Sequence, residues 1–196
     1  MVDRRTDILD GALHVLAEQG MRGLTHRAVD AATGIPPGST SYYFRTRSAL
    51  VAGCVARLVE LDLALDVPAM PGADVDALAD GITEICIQMA TTQRHRTLAR
   101  YELSLAATRD PELRAALVSG GDTIRSLLAE TLAAFGAVEP DAAAAEVAAA
   151  LDGMMFTALV RGPHDPAELA AWLRPALHRV LHAQPGIRNR DTLPTR

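Results

Sequence analysis

The chain has 196 residues, enough for one large domain or two small ones, and is 49% hydrophobic but 4% aromatic, so its interior is Ala, Leu and Val. That composition suits packed helices and argues against a β-sandwich or barrel. All 19 basic residues are arginine, the net charge is −5, and two isolated cysteines, Cys54 and Cys86, exclude a disulfide framework or a zinc signature. Met1 is followed by Asp3, Arg4 and Arg5 rather than an apolar leader. The longest apolar region, Ala142–Leu151, is interrupted by Glu146, so no stretch reaches the roughly 18 uncharged residues of a membrane span.

In chain order, a first helix is expected from about Thr6 to Gln19, with Ile8, Leu9, Ala12, Leu13 and Leu16 inward and Gly20 ending it. Residues 24–47 then read as two short helices meeting at a turn. Thr25 is placed to N-cap the first, and Ala28, Val29 and Ala32 give it a small apolar face. Gly34 falls where that helix must stop in a left-handed conformation, and Ile35 plugs the corner. Pro37 fits the first position of the next helix, where a missing N–H is no loss. This is a helix-turn-helix, whose second helix is shaped for the DNA major groove. Thr46 or Ser48 caps a fourth helix carrying Leu50, Val51, Cys54, Val55, Leu58 and Leu61.

Pro68, Pro71 and Gly72 mark a linker. Further helices are expected over about Asp74–Thr92, Arg94–Thr108, Pro111–Phe135 (with a weak point at Gly120-Gly121), Pro140–Arg161 and from Asp165-Pro166 onward. Pro175 should kink the last of these. From Gln184 the apolar period fades, which reads as a loose tail over 184–196. The sum is an all-α fold of about nine helices, with no strand pattern and no repeat.

Charge divides unevenly along the chain. Residues 1–50 hold six arginines against five acids, a balance of +1, whereas residues 51–196 hold 13 against 19, a balance of −6. The N-terminal part is therefore the one that phosphate would not repel.

The run Tyr42-Tyr43-Phe44-Arg45-Thr46-Arg47-Ser48-Ala49-Leu50 extends the motif. With Ile8, Leu9, Ala12, Leu13, Gly20, Gly23-Leu24-Thr25, Arg27-Ala28-Val29, Ala32, Gly34-Ile35 and Gly38-Ser39-Thr40, it makes residues 4–65 resemble the tetracycline-repressor (TetR) family of one-component regulators. The resemblance implies a homodimeric, non-enzymatic regulator of the bacterial cytoplasm, acting at the nucleoid without a cofactor. It implies a DNA-binding domain over 1–50, a connecting helix over about 47–65, and a ligand-sensing and dimerisation domain over 66–183.

It also implies that Pro37, Gly38, Ser39 and Tyr42 face bases, while Tyr43 and Arg47 join Thr25 and Arg27 on phosphate. Residue chemistry adds His26, Ser41 and Arg45 to these candidates, and makes Arg27 able to grip guanine bidentately. Ser41 stands where the family most often has Tyr, and Pro36 where a Ser or Thr cap is usual.

For the sensing half, Ile85, Ile87, Met89, Tyr101, Leu105, Leu117, Ile124 and Phe156 are candidates to line a pocket. Gln88, His95, Arg100, Glu102 and Thr123 are the polar groups among them, few enough to favour a mainly apolar small molecule. An Arg100–Glu102 pair reads as ordinary surface charge. Gly153, Met154, Leu159, Trp172 and Leu177 are candidates for the dimer interface. His178 and His182 lie four apart on the last helix, but the sequence offers no third ligand, so no metal site is expected. The competing readings are a helical protein–protein module without an effector and a small helical metalloprotein using those two histidines.

Overall fold

The computed structural model describes residues 3–65, 74–163 and 165–187. Among these are nine helices and no strand: α1 (Arg4–Gly23), α2 (His26–Thr33), α3 (Ser39–Tyr43), α4 (Arg47–Leu63), α5 (Val75–Ala90), α6 (Arg94–Ala107), α7 (Pro111–Ala134), α8 (Pro140–Arg161) and α9 (Pro166–His182). The linker residues Pro68, Pro71 and Gly72 lie outside the described residues. Several helices begin where a short polar side chain accepts from a first-turn amide that has no partner within the helix. Thr25 accepts from Ala28 (3.1 Å), Thr46 from Ala49 (3.1 Å), Asp74 from Ala77 (2.9 Å) and Asp110 from Leu113 (3.0 Å). Asp165 accepts from both Ala167 (2.9 Å) and Glu168 (3.1 Å).

The chain divides into two compact units. The first combines residues up to Ala64 with Gln93–Asp122, and so groups α6 and the start of α7 with the helix-turn-helix. That grouping differs from the sequence-derived division near residue 65, because α6 buries Ala99, Leu103 and Ala107 in the same core as Ile8, Leu13 and Leu16 of α1. α1 breaks at Gly20 (φ 65°), and the Met21 amide just beyond donates to Glu102 of α6 at 3.2 Å. Arg100 bonds Asp62 at 2.6 Å, so the expected Arg100–Glu102 surface pair gives way to two contacts that fix α6. Arg57 of α4 forks onto Asp10 of α1 at 2.8 and 3.1 Å. α7 runs unbroken through Gly120-Gly121. The sequence read a weak point there, but a Cβ at Gly120 would meet the Val59 side chain at 2.6 Å, so the glycine serves a close approach to α4.

His14 of α1 and His95 of α6 stack at 3.9 Å with their planes 7° apart. Burial holds the His95 pKa below its usual value, and the charges of His14 and Arg96 act in the same direction. A base with a lowered folded-state pKa leaves the unfolded chain binding the extra proton. Stability should therefore be full above about pH 6.5 and fall as the pH drops toward the lowered pKa. Thermal melts at about pH 7.5 and 5.5 check this. His95→Asn should shrink the acid-induced drop in midpoint, and an equal drop in wild type and variant would contradict the assignment.

The second unit contains α5, the end of α7, α8 and α9. Leu169, Leu173, Leu177 and Leu181 recur every fourth residue along α9, each at most 1% exposed, and pack with Val75, Leu78, Ile82 and Cys86 of α5. α9 is continuous through Pro175, which lies on its exposed side. Gln184 and Ile187 are buried, and the Val138 amide donates to the Pro185 carbonyl at 2.9 Å. The chain is thus packed to residue 187, further than the loose tail read from 184; residues 188–196 lie outside the described residues. Cys54 and Cys86 are unbridged, and burial pushes both thiols up to about 12, which makes them unreactive.

α8 is long and apolar enough to cross a membrane by length and composition, with an 18-residue window of mean hydropathy 1.5. In the fold it supplies Ala143, Ala144, Val147 and Met155 to the second core, and 33% of that window is buried. Its exposed apolar residues include Phe156 and Val160, and Trp172 of α9 is also exposed.

Candidate nucleic-acid interface

α2 and α3 are joined by a turn built from three features. Gly34 takes the left-handed conformation (φ 65°) at which α2 ends, and Ile35 is buried beneath the turn. Gly38 is also left-handed (φ 90°) and starts α3 at Ser39. Pro37 therefore lies before the helix rather than at its first position, as the sequence suggested. The start of α3 carries no hydroxyl cap of its own.

A carboxylate, that of Asp30 in α2, takes the place of that hydroxyl. It accepts from the Gly38 amide at 2.7 Å and the Thr40 amide at 2.8 Å, and the residue is 4% exposed. Burial alone would raise the Asp30 pKa, but Thr40, Gly38 and the nearby His26 together hold it below the ordinary carboxylate value. Sequence reasoning missed this residue. The available signal was an acid beside Val29 on the apolar side of α2, eight to ten residues ahead of a Gly-Ser-Thr start.

The far end of α3 is fixed as firmly. Phe44 is 1% exposed, the Arg5 guanidinium lies 4.4 Å over its ring, and its carbonyl meets His26 Nε2 at 2.6 Å. Arg47 donates through Nε to the Leu24 carbonyl at 3.3 Å, and its Nη2 donates to the Met21 carbonyl. Two of its three nitrogens thus tie the start of α4 to the end of α1, and His26 is likewise engaged within the domain.

What remains outward is a compact set. Tyr42 is 80% exposed and meets the less exposed Tyr43 edge-on at 5.3 Å. Thr25, Arg27, Pro37, Gly38, Ser41 and Arg45 are exposed, and Ser39 is half-buried with its hydroxyl donating to the Pro36 carbonyl at 2.6 Å. Arg27 and Arg45 have no partner among the described residues. Thr40, between these positions, is fully buried and belongs to the core. The arrangement offers hydroxyls and two tyrosines from a five-residue helix whose two ends are clamped, with two unpaired guanidiniums contributed by α2 and by the residue after Phe44.

The other sequence candidates are distributed over both units. Tyr101, Leu105 and Leu117 belong to the first; Ile85, Gln88, Met89, Ile124 and Phe156 belong to the second. Leu105 and Phe156 are largely exposed. A cavity of about 430 Å³ in the first unit is lined by Met21, Arg47, Ser48, Leu113 and Ala116, among others, and by none of those eight. Of the interface candidates, Gly153 and Trp172 are exposed and Met154 half-buried, whereas Leu159 and Leu177 lie inside the second unit.

Residues 8–54 match the family model described as bacterial regulatory proteins, tetR family, and residues 73–183 match that of the tetracyclin repressor-like C-terminal domain. No curated protein matches the chain. Among solved structures, a transcriptional regulator from Rhodococcus sp. RHA1 (RHA1_ro04179) is 20% identical with a TM-score of 0.79, covering 95% of this chain and 100% of that one. A TetR-family member from Streptomyces coelicolor A3 (SCO1917) is 29% identical, with a TM-score of 0.70 and coverages of 91% and 98%. The multidrug binding protein EbrR, complexed with ethidium, is 30% identical, with a TM-score of 0.66 and the same coverages of 91% and 98%.

Proposed function

The chain belongs to the TetR family of bacterial transcriptional regulators, and from that premise we propose that it is a repressor. In this reading it binds a palindromic operator as a homodimer in the cytoplasm, at the nucleoid, and a mainly apolar small molecule releases it. Residues 1–50 read DNA, and residues 66–183 sense the effector and dimerise. The observation that carries the reading is the Asp30-clamped α3, which presents Ser41 and Tyr42 to solvent, with the unpaired Arg27 and Arg45 also exposed in the same motif. Hydroxyls reach bases or phosphate, an aromatic face suits a thymine methyl, and an unpaired guanidinium suits guanine or phosphate. Arg47 acts first on its own backbone, so its contribution to DNA binding is to hold α4 in place.

Support for the effector class comes from EbrR, whose structures hold ethidium, proflavin and malachite green. A ligand of this kind weakens DNA binding only in proportion to its preference for the non-binding conformation.

Fluorescence anisotropy with an operator duplex tests both parts. Arg27→Ala should cost about 1–3 kcal/mol on the best site and relax its base preference. Uniform weakening, with the salt slope reduced by about one unit, would instead put Arg27 on phosphate. Tetraphenylphosphonium, an apolar cation that does not intercalate, should release the duplex. A complex unmoved by both tetraphenylphosphonium and malachite green would contradict the apolar-effector reading.

A further inference from the structure

The fold supplies the third ligand that the sequence lacks beside His178 and His182. Asp76 of α5 brings a carboxylate oxygen to both rings: Oδ1 lies 3.2 Å from His178 Nδ1 and 2.6 Å from His182 Nε2. All three donor atoms fall within 4.8 Å of one another. We propose that Asp76, His178 and His182 form a site for one divalent transition-metal ion of the zinc class, joining α5 to α9 within the second unit.

The two carboxylate–imidazole separations are close to what an ion requires. Bonds of about 2.0–2.2 Å to a tetrahedral ion separate neighbouring ligand atoms by roughly 3.3–3.6 Å. The His178–Asp76 separation is already close to this, and the His182–Asp76 pair needs to open by less than about 1 Å. Two imidazoles with one carboxylate select borderline ions such as Zn²⁺, Co²⁺ or Ni²⁺ over Mg²⁺ or Ca²⁺, which prefer all-oxygen sites. Three protein ligands leave a fourth position for water or a small ligand, and the three side chains are between 29% and 39% exposed, so the ion has a path in.

The surroundings reinforce the assignment. His178 Nε2 lies 3.3 Å from Asp80 Oδ1, one turn along α5 from Asp76. Arg174 Nε lies 3.1 Å from that same Asp80 oxygen. With an ion on Nδ1, the Nε2–H of His178 would be left to donate to Asp80, which Arg174 also contacts. A carboxylate on the far nitrogen of a ligating imidazole is a recurrent device for orienting the ring and raising its basicity. The helical spacings explain why the pieces meet: four residues separate both His178 from His182 and Asp76 from Asp80, so two matched pairs face each other across packed helices. This inference stands independently of the proposed DNA-binding role.

The test uses full-length, tag-free protein stripped with a chelator and titrated with CoCl₂ and then ZnCl₂. The visible Co²⁺ spectrum reports tetrahedral nitrogen–oxygen coordination, and calorimetry reports stoichiometry. One Co²⁺ per chain is expected, displaced by Zn²⁺, with a rise in melting temperature. Asp80→Asn should weaken binding by about 10–100-fold, as loss of an outer partner does, and His182→Ala by more. His182→Gln, run in parallel with far-UV circular dichroism, keeps loss of a ligand distinct from loss of fold. Absence of saturable one-to-one binding in the wild type would overturn the proposal. So would wild-type affinity in both His178→Ala and His182→Ala.

Discussion

Replacing Asp30 with alanine should cost the DNA-binding unit about 2–6 kcal/mol and abolish operator binding under conditions where the wild type is saturated. The side chain is 4% exposed and makes two charge-assisted hydrogen bonds, 2.7 Å to the Gly38 amide and 2.8 Å to the Thr40 amide. Alanine removes the acceptor and leaves both donors unpaired, each at a cost of about 1–3 kcal/mol. α3 has five residues, too few to persist without an anchored start, so the loss falls on the helix that reads DNA. Asn keeps one acceptor oxygen and should lie between the two. Urea unfolding and operator titration on the same preparations decide the matter. Wild-type stability in Asp30→Ala would show that the clamp is not needed.

The same residue sets an acid limit. Its folded-state pKa is lowered, so its contribution is full above the unfolded value of about 3.9 and is lost as the pH falls through the folded value. An Asp30→Asn chain should lack that part of the acid unfolding curve, which lies well below the window in which His95 acts.

The second large effect is expected at Gly153. A Cβ there meets nothing within 4 Å, so Gly153→Glu is accommodated within the chain itself. If the exposed face of α8 that carries Gly153, Phe156 and Val160 forms the contact between two copies, together with Trp172 of α9, the new carboxylate becomes an unpaired charge inside it. Such a charge costs about 3–5 kcal/mol, which weakens the dimer by roughly 10²–10³-fold or more. Leu159→Arg is the poorer test, since Leu159 is 6% exposed in the chain's own core and its loss would disturb the fold. Light scattering should show Gly153→Glu as a folded monomer with weak DNA binding. A dimer of wild-type affinity would move the interface elsewhere.

What could be read from the sequence follows the range of the interactions. Thr25, Gly34 and Asp165-Pro166 act on neighbours within a few residues, and the structure has them capping or ending helices as expected. Ile35, buried under its turn, was legible for the same reason. Asp30 was not, because an acid in a helix normally faces water, and its partners lie across a turn whose geometry the chain does not announce. Pro37 was misplaced because Gly38, left-handed and after it, delays the helix start by two residues. Arg47 looks like a phosphate ligand in a list of cations, yet its nearest acceptors are carbonyls more than twenty residues earlier. The grouping of α6 with the helix-turn-helix, and of Asp76 with His178 and His182, depends on contacts far apart in sequence that local periodicity cannot encode.

Selection of the full-length protein on a randomised duplex library tests the central claim most directly. A dimer presenting two copies of α3 should enrich an inverted repeat whose half-sites lie about 10 base pairs apart, or a multiple of that spacing. Tyr42→Ala should change the enriched bases while leaving that spacing intact. Recovery of no sequence preference, or of a single half-site without symmetry, would contradict a paired reading head built on the Asp30-clamped helix.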